Sequence, residues 1–336
     1  MPTTKTSRTA LVAAACAAAC GGAAAIGAVY RSDMRAARAR LAGQSRLVET
    51  RLGLIEVAEA GQGSPVLVVH GMAGGFDMGL RVGQDVLGDG FRVIAPSRFG
   101  YLGTPMPPEA SHDTQADALA ALLDALEIPA AAVIAVSAGA QAATRLALRH
   151  PDRVQALVLI TPALYVPPPP GASNSGPPDF IFDYLLASDV PAWLITRLAP
   201  QVMVRVAGVP RALVDQVTPE RRQEYVDWFF PAAARRLGTA QDMRTTLPTA
   251  PDLPIEQLRM PVLMISAEDD PYWTAAVVRY SAQRLPTAKL LVFDTGGHVL
   301  LGQDAHVRDA VTDFLGAPTR PAEQHPEPTA AVPSRL

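Results

Sequence analysis

Three short segments contain the side-chain types that nucleophilic catalysis requires. Ser137 lies between small residues in the sequence AVSAG, and His298 follows two glycines late in the chain. Asp269 and Asp270 lie in the sequence EDDP. A histidine can take the proton of a serine hydroxyl near neutral pH, and a carboxylate can orient that histidine and stabilise its cation. We favour Asp270, which directly precedes Pro271, over Asp269 for the carboxylate role.

A fourth segment, HGMAGG at residues 70–75, is rich in glycine. Glycines let the backbone turn its N–H groups toward an oxygen that develops negative charge during a reaction. A phosphate-binding loop is the alternative interpretation. No lysine follows these glycines and the spacing GxGxxG is absent, so the pattern argues against phosphate binding.

Each of the four segments follows a stretch that we predict to be a strand. Short continuous apolar runs are typical of strands buried in a parallel sheet, and stretches with helical spacing lie between several of them. Alternating strands and helices indicate a parallel sheet with helices on both faces, and ligands bind such sheets at the carboxyl ends of the strands. The predicted strands are residues 47–50, 54–58, 66–69, 91–95, 131–136, 154–160, 262–266 and 289–293, and the predicted helices are residues 114–126 and 138–149.

The alternation then stops. Four prolines occupy residues 167–170, and residues 180–247 have the pattern of helices without an intervening strand. We therefore predict one α/β domain at residues 46–316, interrupted by a helical cap at about residues 162–250. Residues 317–336 are polar and rich in proline, which predicts a disordered tail.

The order of the candidate residues along the chain is informative. Ser137, Asp270 and His298 follow one another as in an α/β-hydrolase triad. The sequences HGMAGG, SRFGYLG, EDDP and GGHVLLG occur in the same order as in that superfamily, so the chain resembles it over about residues 47–315. The resemblance implies an α/β-hydrolase fold, with a mostly parallel eight-stranded sheet flanked by helices and a helical cap insertion. Alanine replaces the usual glycine two residues before the serine, but it is also small.

The same resemblance implies a role for each residue. Ser137 would be the nucleophile, Asp270 the acid and His298 the base. The backbone N–H groups of Met72 and Ala138 would form the oxyanion hole. The implied protein is a serine hydrolase of the alpha/beta hydrolase-1 type that cleaves an ester of a small-molecule acyl substrate, like a carboxylesterase or lipase, with no cofactor and no metal.

Other activities stay open with the same three residues. Relatives in the superfamily cleave amides, lactones or carbon–carbon bonds. A non-catalytic binding protein of the same fold is the alternative from another class, and the intact set of three residues argues against it. Haloalkane and epoxide hydrolases normally carry aspartate at the nucleophile position, so Ser137 argues against that chemistry.

Composition and charge exclude several classes of protein. Of the 336 residues, 49% are hydrophobic and 18% are charged, which excludes a disordered chain. Residues 1–46 contain seven basic residues and one acidic residue, so the rest of the chain is acidic and unsuited to nucleic acid. Both cysteines, Cys16 and Cys20, precede the predicted domain, which therefore has neither a cysteine nucleophile nor a thiolate metal site.

Residues 10–30 contain no charged side chain, and a stretch of this length matches a membrane span of about 20 residues. We predict that residues 1–45 form a signal or anchor segment with a basic linker, so that the protein is membrane-anchored or exported rather than cytoplasmic. A cleaved signal peptide and a lipoprotein signal ending before Cys20 are two forms of this prediction. Because most of the segment is alanine and glycine, an alanine-rich helix with no membrane role is the alternative.

Overall fold

The structure, a computed structural model, describes residues 5–167, 188–246 and 250–316. The predictions for the proline run, for the start of the cap and for the tail lie wholly or mostly outside these residues. The strands are β1 (Arg46–Thr50), β2 (Gly53–Gly61), β3 (Ser64–Val69), β4 (Phe91–Pro96), β5 (Ala131–Val136), β6 (Val154–Ile160), β7 (Val262–Ala267) and β8 (Lys289–Phe293). The helices are α1 (Lys5–Leu41), α2 (Phe76–Val86), α3 (His112–Ala125), α4 (Gly139–Arg149), α5 (Asp189–Leu198), α6 (Pro200–Val206), α7 (Pro219–Trp228), α8 (Arg236–Thr245), α9 (Thr274–Arg284) and α10 (Asp304–Leu315).

The eight strands form one sheet in the order β1-β2-β4-β3-β5-β6-β7-β8. Strand β2 is antiparallel to β1 and to β4, and the other neighbouring pairs are parallel. The predicted eight-stranded, mostly parallel sheet is confirmed. Residues 66–69 of the central strand β3 are fully buried, because helices cover both faces of the sheet. This is why the strand has a continuous apolar run rather than an alternating one.

A hydrophobic core lies on each face of the sheet. Helices α3, α4 and α9 contribute to one core, in which Leu119, Leu146 and Val278 have no exposed surface. Helices α2 and α10 contribute to the other core through Val86 and Val311. The two layers leave the carboxyl edge of the parallel strands free of core helices, and the segments with candidate catalytic residues lie at this edge.

The helical region between β6 and β7, called the insertion here, contains α5, α6, α7 and α8. Within residues 188–246 it has no strand, as its sequence pattern predicts. It has a small apolar cluster of its own, which includes Val204, Val214 and Tyr225. The proposed bounds of the domain and of its cap stay a prediction.

The N-terminal helix α1 differs from the signal or anchor segment predicted for this part of the chain. Within the residues that the structure describes, no helix is both long enough and apolar enough to span a membrane. The predicted membrane-anchored or exported location is therefore wrong. The uncharged stretch has the length of a span, but alanine and glycine fill most of it and add little apolar surface. The C-terminal end of α1 instead packs on the insertion, where Met34 joins Trp193 and Phe230 in a buried cluster.

Candidate active site

Ser137 lies in the turn between β5 and α4, at the carboxyl edge of the sheet. Its φ is +50°, in the left-handed region that residues other than glycine rarely adopt. The turn is fixed because the Ser137 N–H donates to the Ile160 carbonyl oxygen at 3.1 Å. A Cβ on Gly139 would lie 2.5 Å from the carbonyl oxygen of His70, so the helix approaches the neighbouring strand too closely for a larger residue. The glycine two residues after the serine is therefore a requirement of this turn.

His298 and Asp270 are in direct contact. His298 Nδ1 lies 2.8 Å from Asp270 Oδ2, and the Asp270 side chain is fully buried. Asp270 Oδ1 accepts the Tyr272 N–H at 2.8 Å, and Oδ2 also accepts the Thr274 hydroxyl. Burial alone would raise the pKa of Asp270, but the hydrogen bond and charge of His298, with the other donors, hold that pKa below its usual value. Asp270 is therefore an ionised acceptor at neutral pH.

The neighbouring Asp269 makes a different contact. Its Oδ1 accepts the Gly297 N–H at 2.8 Å, so this carboxylate fixes the loop that precedes His298. Of the two acids in the EDDP sequence, Asp270 contacts the imidazole and Asp269 contacts the backbone. Two adjacent acids thus hold the same loop at two points.

The chain that follows β6 lies between the serine and the histidine. The Ala163 N–H donates to the Ser137 carbonyl oxygen at 3.0 Å, and the Thr161 hydroxyl donates to the His298 carbonyl oxygen at 3.0 Å. Thr161 is buried, with a φ of +42°. Ser137, His298 and Asp270 are therefore parts of one hydrogen-bonded assembly at the carboxyl edge.

The HGMAGG segment runs along the same edge. A Cβ on Gly71 would lie 3.2 Å from Ser137 Cβ, so the backbone that leads into Met72 passes directly beside the serine. Ala138 is the buried residue that follows Ser137. The two predicted oxyanion-hole residues therefore belong to segments that meet at Ser137.

His70, the first residue of this segment, is fully buried and neutral. Its Nδ1 lies 2.7 Å from the Gly71 carbonyl oxygen, and its Nε2 accepts the Arg98 N–H at 2.9 Å. Burial, together with the charge of Arg98, lowers the pKa of His70 to about 3. A neutral ring with its proton on Nδ1 satisfies both hydrogen bonds. His70 thus shapes the loop and does not serve as a base.

A family model described as the alpha/beta hydrolase fold matches residues 64–305. The match covers more than half of the chain and includes the four segments described above. The chain belongs to this family. The predicted resemblance is thereby confirmed, and with it the fold that the resemblance implies.

This α/β hydrolase is similar to proteins of several names. It is 37% identical over 106 residues to a 2-hydroxymuconate semialdehyde hydrolase of Pseudomonas sp. (strain CF600), a match that covers 30% of this chain and 38% of that protein. It is 30% identical over 219 residues to a pimeloyl-(acyl-carrier protein) methyl ester esterase of Aromatoleum aromaticum, covering 62% of this chain and 81% of that protein. A solved alpha/beta hydrolase fold protein from Nakamurella multipartita has a TM-score of 0.67 at 28% identity, covering 81% of this chain and 98% of that chain.

The extent of these matches limits what they establish. The α/β hydrolase spans less than half the length of the first curated relatives that it matches. The family and the relatives' names support a hydrolase. The names differ in the substrate, so they do not assign one to this chain.

A buried charge network links the HGMAGG segment of the α/β hydrolase to its insertion. Arg98 donates to the carbonyl oxygens of His70 and Gly71 at 3.0 and 3.1 Å. It also donates to Asp242 of α8 at 2.8 Å, and Tyr101 donates to Asp242 at 2.6 Å. The side chains of Arg98 and Asp242 are 4% and 2% exposed. The insertion is therefore tied through Arg98 to the backbone beside the serine.

Several of these residues were not predicted from the sequence. Arg98 lies in the SRFGYLG sequence, but its partner Asp242 is 144 residues away on a helix without a distinguishing pattern. Tyr272 and Thr274 directly follow the EDDP sequence. These two residues could have been recognised, because their hydroxyl side chains follow so closely after a carboxylate in the sequence.

The histidine and acidic side chains of the site are hydrogen-bonded to other side chains or to the backbone. His298 bonds Asp270, Asp269 bonds a backbone N–H, and His70 bonds two backbone groups. In the part of the chain that the structure describes, no group of three or more His, Cys, Asp or Glu side chains is placed to hold a metal ion.

Proposed function

We propose that this α/β hydrolase is a serine hydrolase that cleaves a carboxylic ester through an acyl-enzyme on Ser137. One observation carries the proposal. The imidazole of His298 and the buried carboxylate of Asp270 are 2.8 Å apart, in the same assembly as a serine in a left-handed turn. A serine, a carboxylate and a histidine in this chain order suit acyl transfer.

In this proposal His298 is the base. Because ionised Asp270 only accepts hydrogen bonds, Nδ1 of His298 carries the proton and Nε2 keeps a lone pair. Nε2 takes the proton of Ser137 while the serine Oγ attacks the carbonyl carbon, and then gives that proton to the leaving alcohol. Asp270 stabilises the imidazolium between the two steps. Water hydrolyses the acyl-enzyme by the same proton transfers.

The backbone N–H groups of Met72 and Ala138 stabilise the tetrahedral intermediate in this mechanism. The loss of one such donor typically costs about 3 kcal/mol of transition-state stabilisation. Arg98 supports the first donor, because it bonds the carbonyl oxygen of Gly71, which belongs to the same planar peptide group as the Met72 N–H. Donors fixed before the substrate arrives do not have to reorganise during the reaction.

The relative with the longer match favours an ester as the substrate. The match to the protein named as a methyl ester esterase covers 81% of that protein, whereas the match to the semialdehyde hydrolase covers 38%. The substrate would be a small-molecule acyl ester. Cleavage of amides, lactones or carbon–carbon bonds by the same residues is the competing activity, and a non-catalytic binding protein is the competing class.

A fluorophosphonate probe tests the nucleophile, because it reacts with activated serines. We expect the probe to label the wild-type protein and the Ser64→Ala variant, whose serine is exposed at the start of β3, but not Ser137→Ala. We then expect kcat/KM for p-nitrophenyl esters of graded acyl length to exceed kcat/KM for matched amides and lactones.

Each outcome of this experiment is decisive. Labelling of the Ser137→Ala variant would assign the nucleophile to another serine. The absence of labelling in wild-type protein, with folding verified by circular dichroism, would contradict the hydrolase mechanism and support a binding protein. Faster cleavage of amides or lactones than of esters would replace the substrate class and keep the mechanism.

A further inference from the structure

The turn that follows α6 in the insertion lies directly on the loop that carries His298. The His298 N–H donates to the Gly208 carbonyl oxygen at 2.9 Å. A Cβ on Gly208, where φ is +87°, would lie 2.2 Å from His298 Cβ, and a Cβ on Gly297 would lie 2.3 Å from Pro210 Cδ. Glycine at both positions permits this approach. The insertion and the histidine loop are therefore packed backbone against backbone.

Tyr272 adds a side-chain link between the same two parts. Its ring packs edge-to-face on the imidazole of His298, with the ring centroids 4.9 Å apart and the planes at 84°. Its hydroxyl donates to the Val206 carbonyl oxygen at 2.8 Å. Val206 is the last residue of α6, where helix carbonyls have no partner within the helix. One side chain thus contacts the imidazole and bonds the insertion.

The backbone of Tyr272 holds the partner of the histidine. The Tyr272 N–H donates to Asp270 Oδ1 at 2.8 Å, while Asp270 Oδ2 bonds His298 at 2.8 Å. Tyr272 therefore contacts both members of the acid–histidine pair. A displacement of its ring would turn the imidazole relative to a carboxylate that the Tyr272 backbone keeps in place.

We propose that Tyr272 is a positioning residue that sets the orientation of the His298 imidazole and makes that orientation depend on the place of α6. This inference rests on the proposed function, in which His298 is the base. The ring restricts rotation of the imidazole, and the hydroxyl anchors the ring to the insertion. The base is aligned only when the insertion is in place against the loop that carries His298, so substrate binding at the insertion and proton transfer at the serine are coupled.

Two substitutions at Tyr272 separate the hydroxyl from the ring. Tyr272→Phe removes only the bond to Val206, and we expect kcat to fall about threefold to tenfold, the equivalent of one neutral hydrogen bond, with KM changed less than about twofold. Tyr272→Leu also removes the aromatic contact, and we expect kcat to fall about threefold to tenfold further. The rate at which a fluorophosphonate modifies Ser137 should fall in the same order, because that reaction also needs the base.

Trp273→Phe is the matched control. Trp273 is the adjacent aromatic residue and is 65% exposed, and we expect its kcat and KM to stay within about twofold of the wild type. The thermal midpoint of every variant is measured by circular dichroism. A purely structural role for Tyr272 predicts a lower midpoint with kcat unchanged at temperatures well below it.

The results distinguish this inference from the function on which it rests. An unchanged kcat in Tyr272→Phe, or a change in KM alone, would overturn the positioning role while the labelled Ser137 kept the proposed function intact. The absence of labelling at Ser137 in the wild type would instead defeat the proposed function. A stepwise loss of kcat from Phe to Leu, with KM preserved, supports the positioning role.

Discussion

The sheet domain and the insertion bury different kinds of side chain. In the sheet domain, residues 66–69 of β3 are fully buried, with apolar side chains from helices on both sides. The insertion has a smaller apolar cluster, and its boundary with the sheet domain contains buried ion pairs. Asp242 pairs with Arg98, and Arg235 pairs with Asp77, with each of these four side chains at most 8% exposed.

Apolar burial and buried ion pairs have different effects on the stability of the molecule and on the alignment of its two regions. Apolar burial has no preferred direction and contributes about 25 cal/mol per Å² of apolar surface. A bidentate ion pair requires one geometry, and its net contribution to stability is small once desolvation is counted. We infer that the apolar cores stabilise the sheet domain, while the ion pairs determine where the insertion lies on the sheet domain.

The largest expected effect comes from breaking the ion pair between the two regions. Asp242→Ala leaves Arg98 buried with an uncompensated charge and removes the partner of the Tyr101 hydroxyl. We expect the free energy of unfolding to fall by about 3–5 kcal/mol, measured by urea denaturation. The exposed Asp89→Ala is the control and should change it by less than about 0.5 kcal/mol.

The Asp242→Ala variant also tests whether the ion pair aligns the backbone beside Ser137 in addition to stabilising the fold. Arg98 also holds the carbonyl oxygens of His70 and Gly71, so its release should slow the labelling of Ser137 by a fluorophosphonate in the fraction that stays folded. If the free energy of unfolding falls by less than about 1 kcal/mol, Arg98 binds water or another partner in the variant. That result would show that this part of the boundary is not buried.

Acid should destabilise the protein through two histidines of the sheet domain, one fully buried within it and one half-buried where it meets the insertion. His70 lies in the HGMAGG segment, and His112 of α3 lies against Thr245 and Thr246 of the insertion. Burial is the main cause that lowers the pKa of His70 to about 3 and the pKa of His112 to about 4, against about 6.5 in an unfolded chain. Near pH 6 only the unfolded state binds these protons. The contribution of the two histidines to the free energy of unfolding is therefore fully present well above pH 6.5 and is lost as the pH falls below that value.

The size of the acid effect follows from the two pKa differences. From pH 6.5 to pH 5.5 we expect a loss of about 1 kcal/mol for each histidine, or about 2 kcal/mol together. Urea denaturation at the two pH values measures it. His70→Gln and His112→Gln should each remove about half of the loss. An undiminished loss in His70→Gln would mean that this ring is protonated in the folded protein.

Local chemistry explains why much of the sheet and site could be predicted from sequence. The strands of a parallel sheet are continuous apolar runs, and a serine in a sharp turn needs small neighbours that are visible within five residues. Helix α2 was not predicted, because Gly79 and Gly83 are poor helix formers. They are needed there since a Cβ on Gly79 would lie 3.0 Å from Ala95 Cβ, and one on Gly83 would lie 2.6 Å from a Val93 methyl carbon.

Contacts between distant segments could not be predicted in the same way. Asp242 is one of several acids in the insertion, and only the folded chain brings it to Arg98. Tyr272 follows the acid directly, yet its role depends on the position of Val206, 66 residues earlier in the chain. The N-terminal prediction failed for a different reason. The uncharged stretch is long enough for a membrane span, but its alanines and glycines give it too little apolar surface.

The smallest effect is expected where α1 meets both regions. Arg40 donates to Asp77 of α2 at 2.9 Å and to the carbonyl oxygens of Asp227 and Phe230 in the insertion at 2.6 and 2.9 Å. Its side chain is 30% exposed, and Asp77 keeps its bonds to Arg235 when Arg40 is lost. Water can therefore replace some of the hydrogen bonds that Arg40 donates.

We expect Arg40→Met to lower the free energy of unfolding by about 1 kcal/mol, because the methionine keeps the apolar part of the side chain and loses the charged group. Arg38 lies at an exposed position of the same helix, two residues before Arg40. Arg38→Met should change the free energy of unfolding by less than about 0.5 kcal/mol. Equal effects of the two variants would show that the hydrogen bonds of Arg40 do not contribute to the boundary between the sheet domain and the insertion. An effect as large as that of Asp242→Ala would mean that Arg40 of α1 contributes as much to the boundary as the ion pair of Asp242 and Arg98.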